Sequence, residues 1–173
     1  MKMFHTIIAA CLFGASAAAM AQASAPTDPQ IAAIVVAANN ADIEAGKLAE
    51  KKTSDAQVKA FAHQMVFDHT GVNKQAMDLV KKLKVTPEEN DTSKSLKKSG
   101  DENVATLKKL SGKSFDKAYV DHEVTYHQSV IDALDKTLIP NAKNAELKNL
   151  LVGVRPAFVS HLEHAKSVQA TLK

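Results

Sequence analysis

Apolar side chains recur every three or four residues along four long stretches of this chain, and strand-like alternation is nearly absent. That pattern restricts the fold to packed amphipathic helices. The first stretch opens at Thr27-Asp28-Pro29, an acidic N-cap with Pro at the first helical position, and carries Ile31, Ile34, Ala38, Ala41, Ala45 and Leu48 to about Thr53. Ser54 with Gln57 forms a capping box for the second, which carries Val58, Phe61, Ala62, Met65, His69, Val72, Ala76, Leu79 and Leu83 before Val85-Thr86-Pro87 stops it. The third opens at Ser114 with Phe115, Tyr119, Glu123, His127, Val130 and Leu134 and ends before Pro140. The fourth runs from about Asn144 to the C-terminus through Leu147, Leu151, Val154, Phe158, His161, Leu162, Ala165, Val168 and Leu172, with Pro156 predicted to kink or restart it.

Four such helices imply an all-α four-helix bundle. Tight turns make helices one and two antiparallel, and likewise three and four. Residues 85–113 are long enough to cross back along the bundle as a shorter helix or two broken pieces, with Leu96, Leu107 and Leu110 on a thin stripe that Gly100 weakens. Lysines 94, 97, 98, 108, 109 and 113 in this segment suit either contact with an anionic envelope surface or a solvated outer face.

Residues 1–23 read as a secretory leader. Lys2 supplies the positive end, Ile7 to Met20 the apolar run, and Ala21 or Ala23 the cleavage site. The run is too short to span a bilayer. Ile8-Ala9-Ala10-Cys11 matches a lipoprotein box, but Cys11 comes early and the apolar run continues past it, so lipid anchoring is not expected. The expected product is a periplasmic domain over 24–173, about 150 residues around one core. It lacks cysteine, which excludes disulfides, thiolate chemistry and Cys-based zinc sites. Loss of Lys2 takes the net charge from +3 to +2, too balanced to favour nucleic acid.

Outside the leader the histidines fall in pairs on three different helices: His63/His69, His122/His127 and His161/His164. At about 100° per residue, His69, His127 and His161 fall on the apolar stripes, and Glu123 lies one turn before His127 on the same face. His63 points away, while Asp42 and Glu44 flank the helix-one stripe on opposite sides and Asp68 flanks that of helix two. The candidate constellation is Glu44, His69, Glu123, His127 and His161. Buried imidazoles and carboxylates need partners. This set suits a single transition-metal ion (iron, zinc, copper or manganese) or a polar core network in which the groups satisfy one another. The helix heights place the five in one shell only if the helices are staggered.

Other motifs fail. In His122-Glu123-Val-Thr-Tyr-His127 the second His comes one residue too late for a zinc-protease motif, leaving the pair about 140° apart. His161 and His164 form a weak i,i+3 pair. No phosphate loop or serine nucleophile elbow is present. No catalytic residue is assigned.

With these residues in view, the chain resembles the bacterial envelope family named domain of unknown function 4142, often labelled predicted outer membrane proteins. The resemblance rests on Asn40-Ala-Asp-Ile-Glu44-Ala-Gly46-Lys-Leu48-Ala49, on Val58-Lys-Ala-Phe61-Ala62-His-Gln-Met65-Val66-Phe-Asp68-His69, on Leu110-Ser-Gly112-Lys-Ser-Phe115-Asp116-Lys-Ala-Tyr119, and on Pro156 with His161-Leu162-Glu-His-Ala165. It implies an exported, ferritin-like bundle and no settled activity. Ferritin-like di-metal centres use Glu-x-x-His on two helices, whereas here Val66 and Phe158 stand three residues before His69 and His161. A mononuclear site, or none, fits better than a di-iron oxidase. The sequence leaves three readings open: a periplasmic protein binding a metal ion or small ligand, a structural or stress-related envelope protein acting through its surface, and, least favoured, a redox or hydrolytic metalloenzyme, which needs an open coordination position and a substrate pocket. Oligomeric state is open.

Overall fold

A computed structural model describes residues 25–172; the expected leader, its cleavage site and Cys11 lie outside the described residues. The described residues are helical with no strand among them: α1 (Asp28–Lys52), α2 (Ala56–Lys82), α3 (Asp91–Lys108), α4 (Gly112–Ala133), a π-helical turn (Leu134–Leu138), the short α5 (Ile139–Asn141) and α6 (Ala145–Thr171). Among the described residues no helix is long and apolar enough to cross a membrane.

The cap chemistry differs in detail from the sequence pattern. Thr27 is the N-cap of α1, with Gln30 Oε1 accepting its backbone N–H at 3.1 Å. Asp28 instead accepts the backbone N–H groups of Lys143 and Asn144, both at 2.8 Å, tying the start of α1 to the α5–α6 link. Asp55, not Ser54, caps α2 by accepting from Gln57 and Val58. Asn144, where the fourth helix is expected to begin, caps α6 by accepting from Glu146 and Leu147. Helix α6 runs unbroken through Pro156. The third long helix does not stop before Pro140. Pro140 has no N–H and its ring needs clearance from the preceding turn, and the helix widens to π geometry just ahead of it.

Helix α3 is one continuous helix. Its entry is fixed beside the start of α1, where Glu88 N–H donates to Pro29 O at 3.0 Å. Its exit is fixed at the other end, where Lys52 Nζ donates to the carbonyls of Lys108 (2.7 Å) and Leu110 (2.6 Å) and lies over the Phe115 ring. Helix α3 therefore runs parallel to α1 and returns the chain to the far end of the bundle. As a result α4 is antiparallel to α1 and α6 is antiparallel to α2, the latter closed by Thr171–Gln57 at one end and Lys82–Glu146 at the other.

Two apolar blocks fill the interior. One gathers Ile31, Ile34, Val72, Ile131, Leu134 and the first half of α6, through Leu162. The other gathers Ala45, Ala49, Phe61, Met65, Phe115, Tyr119, Ala165 and Val168. Between them, at mid-height on all four long helices, lies a layer of buried polar residues: Asn39, Asp42, His69, Glu123, His127 and His161.

Helix α1 reaches this layer because its neighbours come close on two sides. A Cβ at Gly46 would lie 2.9 Å from Val66 Cγ2, and one at Gly100 of α3 would lie 2.7 Å from Ala41 Cβ. Gly100 is thus a contact point and not a break. A helix-interior Gly gives up about 1 kcal/mol against Ala, but Ala41 Cβ is fixed to its backbone and cannot yield. Gly100→Val is expected to lower unfolding free energy by about 1–3 kcal/mol in urea titrations; unchanged stability would show that α3 does not dock on Ala41.

Candidate functional site

One turn of each long helix supplies the layer. Helix α1 presents Asn39 and Asp42, which share a face with Gly46 and Ala49 at helical spacing. Helix α2 presents His69, α4 presents Glu123 and His127, and α6 presents His161. All six side chains are buried, at 2% exposure or less. The three imidazoles form a near-equilateral triangle with ring centres 5.2, 5.4 and 5.6 Å apart. Phe158 packs against all three rings.

Each imidazole is held from outside by one nitrogen. His69 Nδ1–H donates to Asn39 Oδ1 at 2.7 Å. His127 Nδ1–H donates to the Glu123 backbone carbonyl at 3.0 Å. His161 Nε2–H donates to Asp68 Oδ2 at 2.8 Å. A neutral ring that donates from one nitrogen carries a lone pair on the other. The remaining nitrogens, His69 Nε2, His127 Nε2 and His161 Nδ1, have no hydrogen-bond partner among the described residues. The three side chains offer ligand atoms within 4.8 Å of one another.

Asp42 closes the group. Its Oδ2 lies 3.0 Å from His69 Nε2 and 3.4 Å from His127 Nε2, without hydrogen-bond alignment. Asp42, Glu123 and His127 form a second convergent trio within the same limit. Among the described residues, nine of the eleven buried side-chain polar atoms without a well-aligned hydrogen-bond partner belong to Asp42, His69, Tyr119, His122, Glu123, His127 and His161. A buried polar atom left without a partner costs about 1–3 kcal/mol, so these groups must be satisfied by one another or by a bound cation.

Burial favours the neutral form of His127 and His161. Burial, opposed by the Asp42 charge, pulls His127 down to about 4. Burial also lowers His161. Burial, and then the neighbouring Asp42 charge, raises Glu123 well above the ordinary carboxyl range, so it holds a proton that it can donate to Asp42. Burial works against the Asp42 charge as well, but a proton held on the facing imidazoles, His69 first, outweighs it and holds Asp42 below its usual value.

Four of the five residues chosen from the sequence therefore meet: His69, Glu123, His127 and His161. Glu44 does not. Its side chain is 62% exposed and pairs with Lys47. Asp42, two residues earlier and about 200° around the helix, takes the inward place. The remaining histidines stay apart. His63 pairs with Glu50 on the surface, His164 bonds Gln64, and His122 stacks on Tyr126 at the flank. Asn39, Asp42 and Asp68 were not among the chosen five. The clue available for Asp42 was the pair of small residues Gly46 and Ala49 on its face, which mark the closest helix contact.

The family model described as Domain of unknown function (DUF4142) matches residues 13–168. The chain belongs to the DUF4142 family. No curated protein and no solved structure matches it. For this DUF4142 chain the fold and the buried cluster, rather than a characterised relative, carry the functional argument.

The depressed His127 value has a direct consequence for the metal-free protein. Between its ordinary 6.5 and about 4, the unfolded chain binds a proton that the folded chain refuses, so stability falls as pH falls through that window. From pH 7 to pH 4.5 the wild type should lose about 2 kcal/mol more than His127→Gln in urea unfolding. Equal losses would show that His127 titrates normally in the fold.

Proposed function

We propose that this protein is exported to the bacterial envelope and there binds one divalent transition-metal ion in the mid-bundle layer, through His69, His127, His161 and Asp42. The observation that carries this reading is the orientation of the three imidazoles. Each donates its outer N–H to a fixed acceptor and turns its lone pair inward, the arrangement by which outer partners fix metal-ligating histidines. Three atoms within 4.8 Å of one another leave a point within about 2.8 Å of all three, against metal–nitrogen bonds of ~2.0–2.1 Å, so the rings need close by less than an ångström. Three neutral imidazoles and one carboxylate suit iron, zinc, manganese or copper, and the absence of thiolates disfavours soft-metal sites. A bound cation would satisfy the inward lone pairs and the Asp42 charge together. Glu123, beside Asp42, would hold or release a proton as the charge at the centre changes. Export rests on residues 1–23, whose charged start, apolar run and Ala-rich end match a secretory leader.

The second reading is a metal-free polar network in an envelope protein that works through its surface. The 3.0 Å approach of His69 Nε2 to Asp42 Oδ2 favours it, since a proton placed there would pair the two. The Lys94–Lys113 segment supports a surface role less well, because Lys97 and Lys98 are paired with Asp101 and Glu102 one turn on.

Elemental analysis of untagged protein, after incubation with iron, zinc, copper and manganese separately, decides between the two. One ion per chain is expected in the wild type and in Glu44→Ala. Asp42→Ala and His127→Ala are expected to lose it while keeping helical circular dichroism. No metal in the wild type, or full loading in both of those variants, would leave the polar network as the explanation.

A further inference from the structure

A second feature lies against the histidine triad. A cavity of about 660 Å³ runs between α1, α3, α4 and α6. Its floor is buried and apolar, formed by residues such as Ile34, Val72, Leu138, Leu151 and Val154. Its inner wall is Asn39 and Phe158, the two residues that hold and cover His69. Its exposed lining residues include the hydroxyl-bearing Thr92 and Ser99 on α3, Ser129 on α4 and Thr137 in the π-helical turn. The π-helical turn helps shape the floor, because both of its leucines, Leu134 and Leu138, are buried and line the space. Single π-turns inside α-helices are frequent at functional sites.

Charge selects the occupant. In a chain with 24% charged residues, no Asp, Glu, Lys, Arg or His among the described residues lines this cavity. The groove on the other face of α1, under α3, is lined by Glu44, Glu89, Lys97, Asp101 and Lys108, so the neutrality is local to one side of the helix. An ionised group placed here would lose its hydration without a partner, which is costly. A hydrocarbon body would remove apolar wall from water, and one neutral hydroxyl or carbonyl at its end would meet the exposed hydroxyl groups. The volume lies within the ~300–1,000 Å³ usual for small-molecule sites.

We propose that this cavity binds one neutral, largely hydrocarbon small molecule, with its polar end at the α3–α4 opening and its apolar end against Phe158 and Asn39. The site is distinct from the metal layer but shares a wall with it. A ligand seated there would press on the side chains that orient and cover His69, and through them on the triad.

Fluorescence titration with the neutral probe N-phenyl-1-naphthylamine tests this, on protein treated with chelator so that the outcome does not depend on the metal reading. One saturable site per chain is expected, at low and at high protein concentration alike. Decan-1-ol should displace the probe about tenfold or more better than decanoate or decyltrimethylammonium, since only the alcohol enters without burying a charge. Val130→Trp on α4 and Leu96→Trp on α3 each fill the cavity from a half-buried wall position, and whichever retains wild-type helical melting should lower probe affinity about tenfold or more. Absent saturable binding, equal displacement by alcohol and ions, or full affinity in a folded variant would overturn the proposal. Binding that disappears as protein concentration rises would assign the opening to a second copy of the chain and overturn it equally.

Discussion

The rest of the bundle is arranged around a balance at mid-height: three imidazole lone pairs and one carboxylate brought together where no water-facing surface remains. Each imidazole is fixed by a hydrogen bond from its far side, to Asn39, to the Glu123 carbonyl and to Asp68. Those bonds decide which nitrogen faces inward. The apolar blocks above and below supply the low dielectric that makes the choice consequential. In water the same groups would be indifferent to one another. Here they keep His127 neutral and Glu123 protonated.

Helix α1 gives the layer its access to a carboxylate, and close packing makes that possible. It is flanked by α2, α4 and α3, with glycine at the two tightest approaches. The long crossover α3 is fixed along it by contacts at both ends, and Lys52 closes the far end by answering carbonyls that the end of α3 leaves open. The covering α3 also divides the surroundings of α1 into two unlike spaces, a charged groove on one side and a neutral apolar cavity on the other.

Much of this was legible in the sequence. Long helical periods with turn residues between them specify four helices and their antiparallel pairing, and the stripes place His69, His127, His161 and Glu123 inward because α2, α4 and α6 each bury essentially one face. Helix α1 misled for a physical reason. It buries more than one face, so its apolar stripe averages the side toward α3, where Ala37, Ala41 and Glu44 lie, with the side toward the core, where Asn39 and Asp42 lie. Reading one stripe made Glu44 and Asp42 look equivalent flanks. Gly100 misled in a related way, since a glycine that weakens an isolated helix can be required by a neighbour. The π-turn before Pro140 and the cavity beside it have no periodic signature, because both follow from how α4 meets its surroundings.

The central claim is that the triad presents three neutral rings whose lone pairs converge. Long-range nitrogen–proton correlation NMR of the imidazoles, in metal-free protein at pH 7, reads this directly. The account predicts neutral rings, with the proton on Nδ1 in His69 and His127 and on Nε2 in His161, and addition of a divalent transition metal should shift the three opposite nitrogens together. An imidazolium among the three, or a tautomer with its N–H turned inward, would contradict it, because the layer would then supply its own positive charge or its own donor.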